Sequence, residues 1–419
     1  MTEALLQYIW QHRHYSAAAL LTITGEPVQV LRTGSFNTNQ GPDFLDARIK
    51  IANTEWAGNV ELHIYSSQWE QHGHSSDAHY QNVILHVVWK NDKALGLAIP
   101  TLELEPFVSS VLLGRYAALM QAGNSIACSH AIATVPYLHF AAWKERLLTE
   151  RLQQRSNYIL SLLQTTTGHW EEVFWWVLAR NFGIKVNADA FEAIARSISI
   201  NILAKHKNQV QQIEALLLGQ AGLLNGEFTE DYPQMLKREY LFLQKKYALV
   251  QPKLQLHFLR MRPANFPTIR LAQLAMLVHK SLHLFSATRE AADVKEIARL
   301  LTVKANDYWH YHYVPDEPTG YKEKMLGMQM RQNVLINTIV PMLYAYGYYQ
   351  SNAGLQQKAM RWLEQTTAEH NYITRAFTAL GIANKNAFDS QALIQLQNEY
   401  CRQKQCLRCA VGNYLLKEK

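Results

Sequence analysis

The chain has 419 residues, of which 48% are hydrophobic and 18% charged, a composition typical of a folded globular protein and not of a disordered one. The length exceeds that of one ordinary domain, and no apolar run reaches the roughly 20 residues that a membrane span requires. The first residues, Met1-Thr2-Glu3-Ala4, lack the basic-then-apolar order of a signal peptide. We therefore expect a cytoplasmic protein of two or three domains without membrane association. The net charge of +7 permits a nucleic-acid partner but does not require one.

Residues 1–115 have the pattern of an α/β domain with a mixed sheet. Thr2 can cap a first helix over about residues 3–14, and residues 28–31 form a short strand pattern after a turn. Residues 82–89 form an almost wholly apolar run of strand length. Four or five such strands with flanking helices predict a sandwich of helices on a sheet.

An acid at a turn, followed by an acid and a base on a strand, is the chemical centre of this domain. Asp43 follows Gly-Pro in a turn, and Glu61 and His63 lie two residues apart on a later strand, so the latter two share one face. Two carboxylates that face one gap repel each other, and a hard divalent cation such as Mg²⁺ relieves the repulsion. Strand alternation places Asp46 on the face opposite Asp43. Asp43 therefore reaches Glu61 only from the turn before the strand, and Asp46 is the reserve metal ligand.

The order Pro42-Asp43 and then Glu61-Leu62-His63 resembles the PD-(D/E)xK, or restriction-endonuclease-like, nuclease superfamily. The chain also resembles a bacterial domain-of-unknown-function family built on this pattern. The resemblance implies a nuclease-like α/β fold that hydrolyses DNA or RNA with Mg²⁺ or Mn²⁺. It implies that Asp43 and Glu61 hold the metal and that His63, in place of the superfamily's lysine, orients or deprotonates water. The alternative is a non-catalytic nucleic-acid-binding or scaffold protein that retains the fold.

A histidine-rich segment follows the Glu61 strand. Its sequence is close to the His-x-His-x-Asp-His zinc box of metallo-β-lactamase-like hydrolases, and it reads His72-Gly73-His74-Ser75-Ser76-Asp77-Ala78-His79. Two spacings are one residue too long, which would rotate the ligands away from one ion, so we interpret the segment as a loop. A zinc-dependent hydrolase remains the alternative, with the donors His63, His72, His74 and His86.

From about Tyr137 onward the apolar spacing becomes helical, and residues 116–400 are predicted to form an all-α domain. Arginines that share a helix face, or that flank a proline-bounded loop before a helix, are candidates for contacts with phosphate. The candidate nucleic-acid-binding residues are Arg151, Arg155, Arg260, Arg262 and Arg270. A solvated basic face and a rigid interhelical turn are the structural alternatives.

The chain contains four cysteines, namely Cys128, Cys401, Cys406 and Cys409. Three of them lie in a C-terminal tail, residues 401–419, and the expected cytoplasmic setting disfavours disulfides. Three clustered thiolates and one remote thiolate suit tetrahedral Zn²⁺ or an iron–sulfur cluster, so we predict that all four meet at one site. The pattern resembles some recombination-linked PD-(D/E)xK nucleases, in which one remote and three clustered cysteines hold a [4Fe-4S] cluster. Four unrelated thiols are the alternative.

Overall fold

The computed structural model describes residues 1–281 and 283–417 of the chain. Position 282 of the predicted helical domain and the last two residues of the predicted 401–419 tail lie outside the described residues. Within the described part of the chain, no helix is long and apolar enough to cross a membrane.

The chain divides into two compact units, and the first is assembled from two separate stretches of sequence. The first unit comprises Met1–Trp143 and Leu396–Lys419, and the second comprises Lys144–Gln395. The divisions differ from the predicted boundaries after residues 115 and 400. The physical reason is that the C-terminal stretch packs with the segment that follows the sheet, which sequence periodicity does not reveal.

The first unit is built on a mixed β-sheet. Its strands among the described residues are β1 (Val28–Arg32), β2 (Ser35–Phe36), β3 (Phe44–Ile51), β4 (Thr54–Tyr65), β5 (Val83–Lys90) and β6 (Thr101–Glu103). The order across the sheet is β1-β3-β4-β5-β6, and β2 pairs with β3. The β1–β3 and β3–β4 pairs are antiparallel, whereas β4–β5 and β5–β6 are parallel. The mixed sheet predicted for this part of the chain is therefore present.

Three helices precede the helical unit, namely α1 (Glu3–Gln11), α2 (Gln68–Gln71) and α3 (Ser110–Gln121). The Thr2 hydroxyl caps α1 by accepting a hydrogen bond from the Leu5 amide at 3.2 Å, as the sequence predicts. The apolar face of α1, which includes Leu6 and Ile9, is fully buried. This burial holds α1 against β4, beside the polar residues of that strand.

A bulge in β3 decides which acids reach the polar face of β4. Phe44 pairs with Val60 and Ala47 pairs with Gly58, so β3 has one extra residue between these pairs. Asp46 lies in the bulge with a positive φ of 57°, and its side chain is exposed. Asp43 precedes β3 and is therefore placed beside the centre of β4.

The second unit is helical. The unit starts at Lys144, within the long helix α4 (Tyr137–Thr165). The helices that follow are α5 (Trp170–Phe182), α6 (Ala188–Arg196), α7 (Ile200–His206), α8 (Val210–Gln220), α9 (Asp231–Tyr247), α10 (Pro267–Lys280), α11 (Leu284–Glu290), α12 (Val294–Leu300), α13 (Met328–Val334), α14 (Val340–Tyr349), α15 (Ala353–Glu364), α16 (Tyr372–Ala379) and α17 (Ala387–Gln395). One large apolar core fills this unit, and Trp175, Phe182 and Trp309 are among its most buried side chains. The helical region predicted after the sheet is thus present.

The C-terminal stretch returns to the first unit. A π-helical turn over Leu396–Cys401 leads to a short helix, α18 (Ala410–Leu416). Gln397 donates a side-chain hydrogen bond to the Ser125 carbonyl at 3.2 Å, and Arg115 on α3 donates to the Lys417 carbonyl at 2.8 Å. These bonds join the C-terminal stretch to residues that precede the helical unit.

Candidate metal centre

Two carboxylates, Asp43 and Glu61, lie side by side on the sheet. The Asp43 amide donates to Glu61 Oε2 at 3.0 Å, and the Leu62 amide donates to Asp43 Oδ2 at 3.2 Å. The Gln7 side chain on α1 donates to the other Asp43 oxygen at 2.9 Å. The β3–β4 ladder and α1 together fix the positions of both carboxylates.

The environment of this pair disfavours two negative charges. Burial, with a further contribution from the charge of Glu3, raises the pKa of Asp43 to about 7. Burial and the neighbouring Asp43 raise the pKa of Glu61 to about 8. Near neutral pH the pair therefore retains a proton unless a cation is present to stabilise the ionised form.

Two histidines, His63 and His74, face Glu61, and a third, His72, lies beside His63. The Nε2 atoms of His63 and His74 each lie 3.5 Å from Glu61 Oε1, and His63 Nε2 lies 3.3 Å from His72 Nδ1. One ring nitrogen from each histidine lies within 4.8 Å of the others. Ligand atoms about 2.1 Å from one ion are separated by roughly 3.0–3.4 Å, so these contacts have the spacing of donors to a single divalent ion.

A fourth histidine orients His63. His86 on β5 lies beside Glu61 in the parallel ladder, and its Nε2 is 2.9 Å from His63 Nδ1. Burial, with the neighbouring histidines, lowers the pKa of His63 to about 3 and that of His86 to about 4. Both rings are therefore neutral, which is the form that binds metals, and the bond at Nδ1 fixes the direction of Nε2.

The local backbone turns His72 and His74 toward the sheet. His72 ends α2, and Gly73 follows with a φ of 71°, a left-handed conformation that glycine adopts without strain. The Trp69 indole donates to the Ser75 hydroxyl at 3.0 Å and fixes the start of the loop. His74 is also covered by Tyr80, whose ring stacks on it with centroids 3.8 Å apart.

The donor set fits a divalent transition metal. His74 Nε2 is buried and has no hydrogen-bond partner among the described residues, as expected of a nitrogen that serves as a metal ligand. Imidazole nitrogens with one or two carboxylates suit Zn²⁺, Fe²⁺ or Mn²⁺ better than Mg²⁺, which prefers oxygen. His72 is exposed, so the cluster opens to solvent on the side of that ring.

The structure brings Asp43, Glu61 and His63 together, as well as the first two members of the histidine box. The remaining acid and the last histidine of the box are Asp77 and His79, and they pair with each other at 2.7 Å in an exposed turn. Asp46, the reserve ligand, is not part of the cluster, because the bulge turns its side chain to solvent while its amide donates to Asn59. Sequence reasoning missed Gln7 and Tyr80. Helical spacing indicates only that Gln7 lies one turn after Glu3, and no pattern indicates Tyr80.

The candidate arginines of the helical unit do not form one basic surface. Arg151 donates to Gln391 at 2.6 Å, and Arg155 donates to Asn337 at 2.7 Å, so both engage neighbouring helices. Arg270 is buried and bonds to the side chains of Gln273 and Asn265. Only Arg260 and Arg262 of the five candidates are exposed. Helical periodicity indicates which arginines share a face of a helix. It does not indicate which neighbouring helix covers that face, so these interior pairings could not be predicted from spacing.

The four cysteines all lie in the first unit and line one cavity of about 20 Å³. None of the four forms a disulfide. That Cys128 shares one metal site with the three C-terminal cysteines stays a prediction.

Comparisons with curated proteins and with solved structures find no match. A protein-family model described as "Protein of unknown function (DUF2851)" matches residues 3–372, which include the whole of the acid–histidine cluster. The chain therefore belongs to the DUF2851 family.

Proposed function

We propose that the protein is a metal-dependent nuclease that hydrolyses phosphodiester bonds of DNA or RNA at the acid–histidine cluster. The observation that carries the proposal is the convergence of Glu61 Oε1 with the ring nitrogens of His63 and His74, beside a second carboxylate, Asp43. The order of these residues along the chain supports a PD-(D/E)xK type of site. The net charge of +7 is compatible with a polyanionic substrate.

Each side chain has a distinct role in this proposal. Glu61, His63, His72 and His74 hold the ion, with His86 positioning the His63 ring. A bound divalent ion supplies positive charge that stabilises the phosphoryl oxygens during in-line attack. His63, with a pKa of about 3, is a poor proton acceptor at neutral pH, so we assign it to metal binding and not to the activation of water.

Asp43 is the better candidate for proton transfer. Gln7 and the Leu62 amide each occupy only one lone pair on its two oxygens. A free lone pair can therefore accept a proton from an attacking water molecule. The exposed His72 marks the side from which a phosphodiester would approach.

The test compares the wild type with Glu61→Gln, a change that removes a charge but keeps the side-chain shape. The purified chain is stripped with a chelator, reloaded with Mn²⁺, Mg²⁺ or Zn²⁺, and assayed on single- and double-stranded DNA and RNA. We expect cleavage by the loaded wild type and none by Glu61→Gln. Glu55→Gln is the matched control, since Glu55 is exposed on the same strand and should leave cleavage unchanged. Equal activity of wild type and Glu61→Gln would exclude this site.

A zinc-dependent hydrolase of another ester or an amide is the second candidate function. It is favoured by the number of imidazole donors, since three histidines with one carboxylate are a common zinc environment. In that case the protein binds about one Zn²⁺ per chain through His74, cleaves no nucleic acid, and hydrolyses members of an ester and amide panel. Loss of the zinc and of that hydrolysis together in His74→Ala would select this function.

A further inference from the structure

The four cysteines form a second, separate group of donors in the first unit. Cys128 precedes the helical unit in sequence, whereas Cys401, Cys406 and Cys409 follow it. All four side chains line the same small cavity, with Ala127, Tyr400, Gln405 and Gly412 as its other walls. The lining is apolar apart from the thiols and Gln405, so the cavity offers sulfur as its main donor atom.

The backbone around the cavity places the four cysteines on its walls. Cys401 ends the π-helical turn, Cys406 begins a 3₁₀ turn, and Cys409 caps α18. Gly412 on α18 lies so close to the Cys406 backbone that an added Cβ would be 2.1 Å from the Cys406 carbonyl oxygen. The absence of a side chain at Gly412 thus lets the cysteine loop pack directly on α18.

Burial disfavours the thiolate form of these cysteines. It raises the pKa of Cys409 to about 11, although the backbone amides of Gly412 and Val411 partly oppose this increase. Burial, with a smaller contribution from Cys409 and Cys406, raises the pKa of Cys128 to about 12. Such crowded thiols stay protonated when no cation is present, and metal binding releases their protons.

From this geometry we propose that Cys128, Cys401, Cys406 and Cys409 bind one thiophilic metal centre through four thiolates. Both Zn²⁺ and a preformed [4Fe-4S] cluster accept this ligand set. Binding breaks four S–H bonds, releases four protons and forms four metal–sulfur bonds, without oxidation or reduction of the protein. The centre would join the two sequence stretches of the first unit.

This site is distinct from the acid–histidine cluster, and the two can be tested independently. The full chain is purified without oxygen, and zinc, iron and acid-labile sulfide are measured per chain, with an absorption spectrum. Apart from any metal at the acid–histidine cluster, we expect either about one zinc with no sulfide or about four irons with about four sulfides. Cys128→Ser and Cys409→Ser should each lose most of this content. Glu61→Gln is the control, and it should retain the metal of the cysteine site.

A spectroscopic measurement on the wild type covers the case in which a cysteine variant fails to fold. The chain as purified is treated with a chelator that removes its metal, and Co²⁺ is then added, which produces intense sulfur-to-cobalt absorption when thiolates bind it. Adding Zn²⁺ should abolish that absorption, and the number of thiols that react with a thiol reagent should fall by about four on loading. Metal-free wild type after anaerobic purification, together with no cobalt–thiolate absorption, would overturn the proposal.

Discussion

Two buried glutamates, one in each unit, show how neighbouring groups decide whether a buried acid needs a metal. Glu61 in the first unit is 6% exposed, and Glu214 in the second is fully buried. Burial raises the pKa of both, to about 8 for Glu61 and about 7 for Glu214. Judged by burial and pKa alone, the two side chains are alike.

One oxygen of each accepts hydrogen bonds, that of Glu61 from the Asp43 amide, and the difference lies in the other neighbours. Glu214 Oε2 accepts hydrogen bonds from the Tyr232 hydroxyl at 2.6 Å and the Trp309 indole at 3.2 Å. Glu61 Oε1 instead faces ring nitrogens of His63 and His74 that are themselves acceptors in one tautomer. The other Glu214 oxygen, Oε1, is buried and has no hydrogen-bond partner among the described residues, but no imidazole faces it. The lone pairs that surround Glu61 Oε1 would be stabilised by a cation between them. The type of neighbour, and not the size of the pKa shift, therefore distinguishes Glu61 from Glu214.

The largest expected effect comes from placing a fixed positive charge beside Glu61. His63→Lys should lower nuclease activity at least about 1,000-fold, because an ammonium neutralises Glu61 but offers no lone pair to a metal. Cleavage rates and bound metal are measured together. His79→Lys is the control, since His79 lies exposed on the same crossover. Retained activity in His63→Lys would mean that the residue acts like the lysine of PD-(D/E)xK nucleases, and that Glu61 resembles Glu214 in not needing imidazole neighbours.

The pH dependence of stability is the next largest effect and concerns Glu214. Its pKa rises from 4.5 in the unfolded chain to about 7 in the folded one, so the folded state binds more protons between these values. The stabilising contribution is complete below pH 4.5 and is lost as the pH rises to about 7. The free energy of unfolding attributable to Glu214 should therefore fall by at most about 3 kcal/mol over this window.

Glu214→Gln should remove that part of the pH dependence, because the amide does not titrate. Denaturant unfolding of both proteins at several pH values between 4.5 and 7 measures the difference. Parallel stability profiles for wild type and Glu214→Gln would show that Glu214 is not the group that titrates.

Metal-linked stability separates the two glutamates directly. At a free metal concentration of 100 times Kd, the wild type should gain about 2.7 kcal/mol of unfolding free energy. Glu61→Gln should lose this gain, and Glu214→Gln should keep it, because only Glu61 faces the histidines. The gain is measured by denaturant unfolding with and without the metal. An equal metal effect on both variants would place the ion elsewhere.

The smallest effect concerns Gln7, which holds Asp43. Gln7→Leu should weaken metal binding about 10-fold, as removal of outer partners commonly does, because Asp43, whose amide donates to the ligand Glu61, then loses its fixed position. Gln11→Leu at the exposed end of the same helix serves as the control. Calorimetric titration gives both affinities, and identical values for the two variants would exclude a positioning role for Gln7.

The sequence allowed the mixed sheet, the helical region and the grouping of Asp43, Glu61 and His63 to be predicted, because strand alternation is a local property. It allowed His72 and His74 to be predicted only as donors of the alternative zinc site, because their spacing favoured a loop. Their directions depend on the left-handed Gly73 and on packing against Trp69, neither of which is expressed in residue spacing.

Asp46 and two of the candidate arginines, Arg155 and Arg270, lie in surroundings that the sequence pattern did not indicate, for related reasons. A bulge shifts strand parity by one residue, so alternation alone cannot say which side of β3 an acid near its start occupies. Arg155 and Arg270 lie on helices whose neighbours come from distant sequence, and burial lowers the pKa of Arg155 to about 9. Covalent spacing indicates which residues share a face, and only tertiary packing decides whether that face meets solvent.

Because the first unit is built from two separate stretches of sequence, its parts are translated at different times. The ribosome makes the N-terminal stretch first, then the 252 residues of Lys144–Gln395 (395 − 144 + 1), and only then the returning stretch. At about 5–20 residues per second, translation of the intervening unit takes roughly 13–50 s. During that interval the helical unit can fold, and Cys128 is present before Cys401, Cys406 and Cys409 have been synthesised. Completion of the first unit is thus a late event, and an incomplete nascent chain would present its unfinished surface to chaperones and proteases.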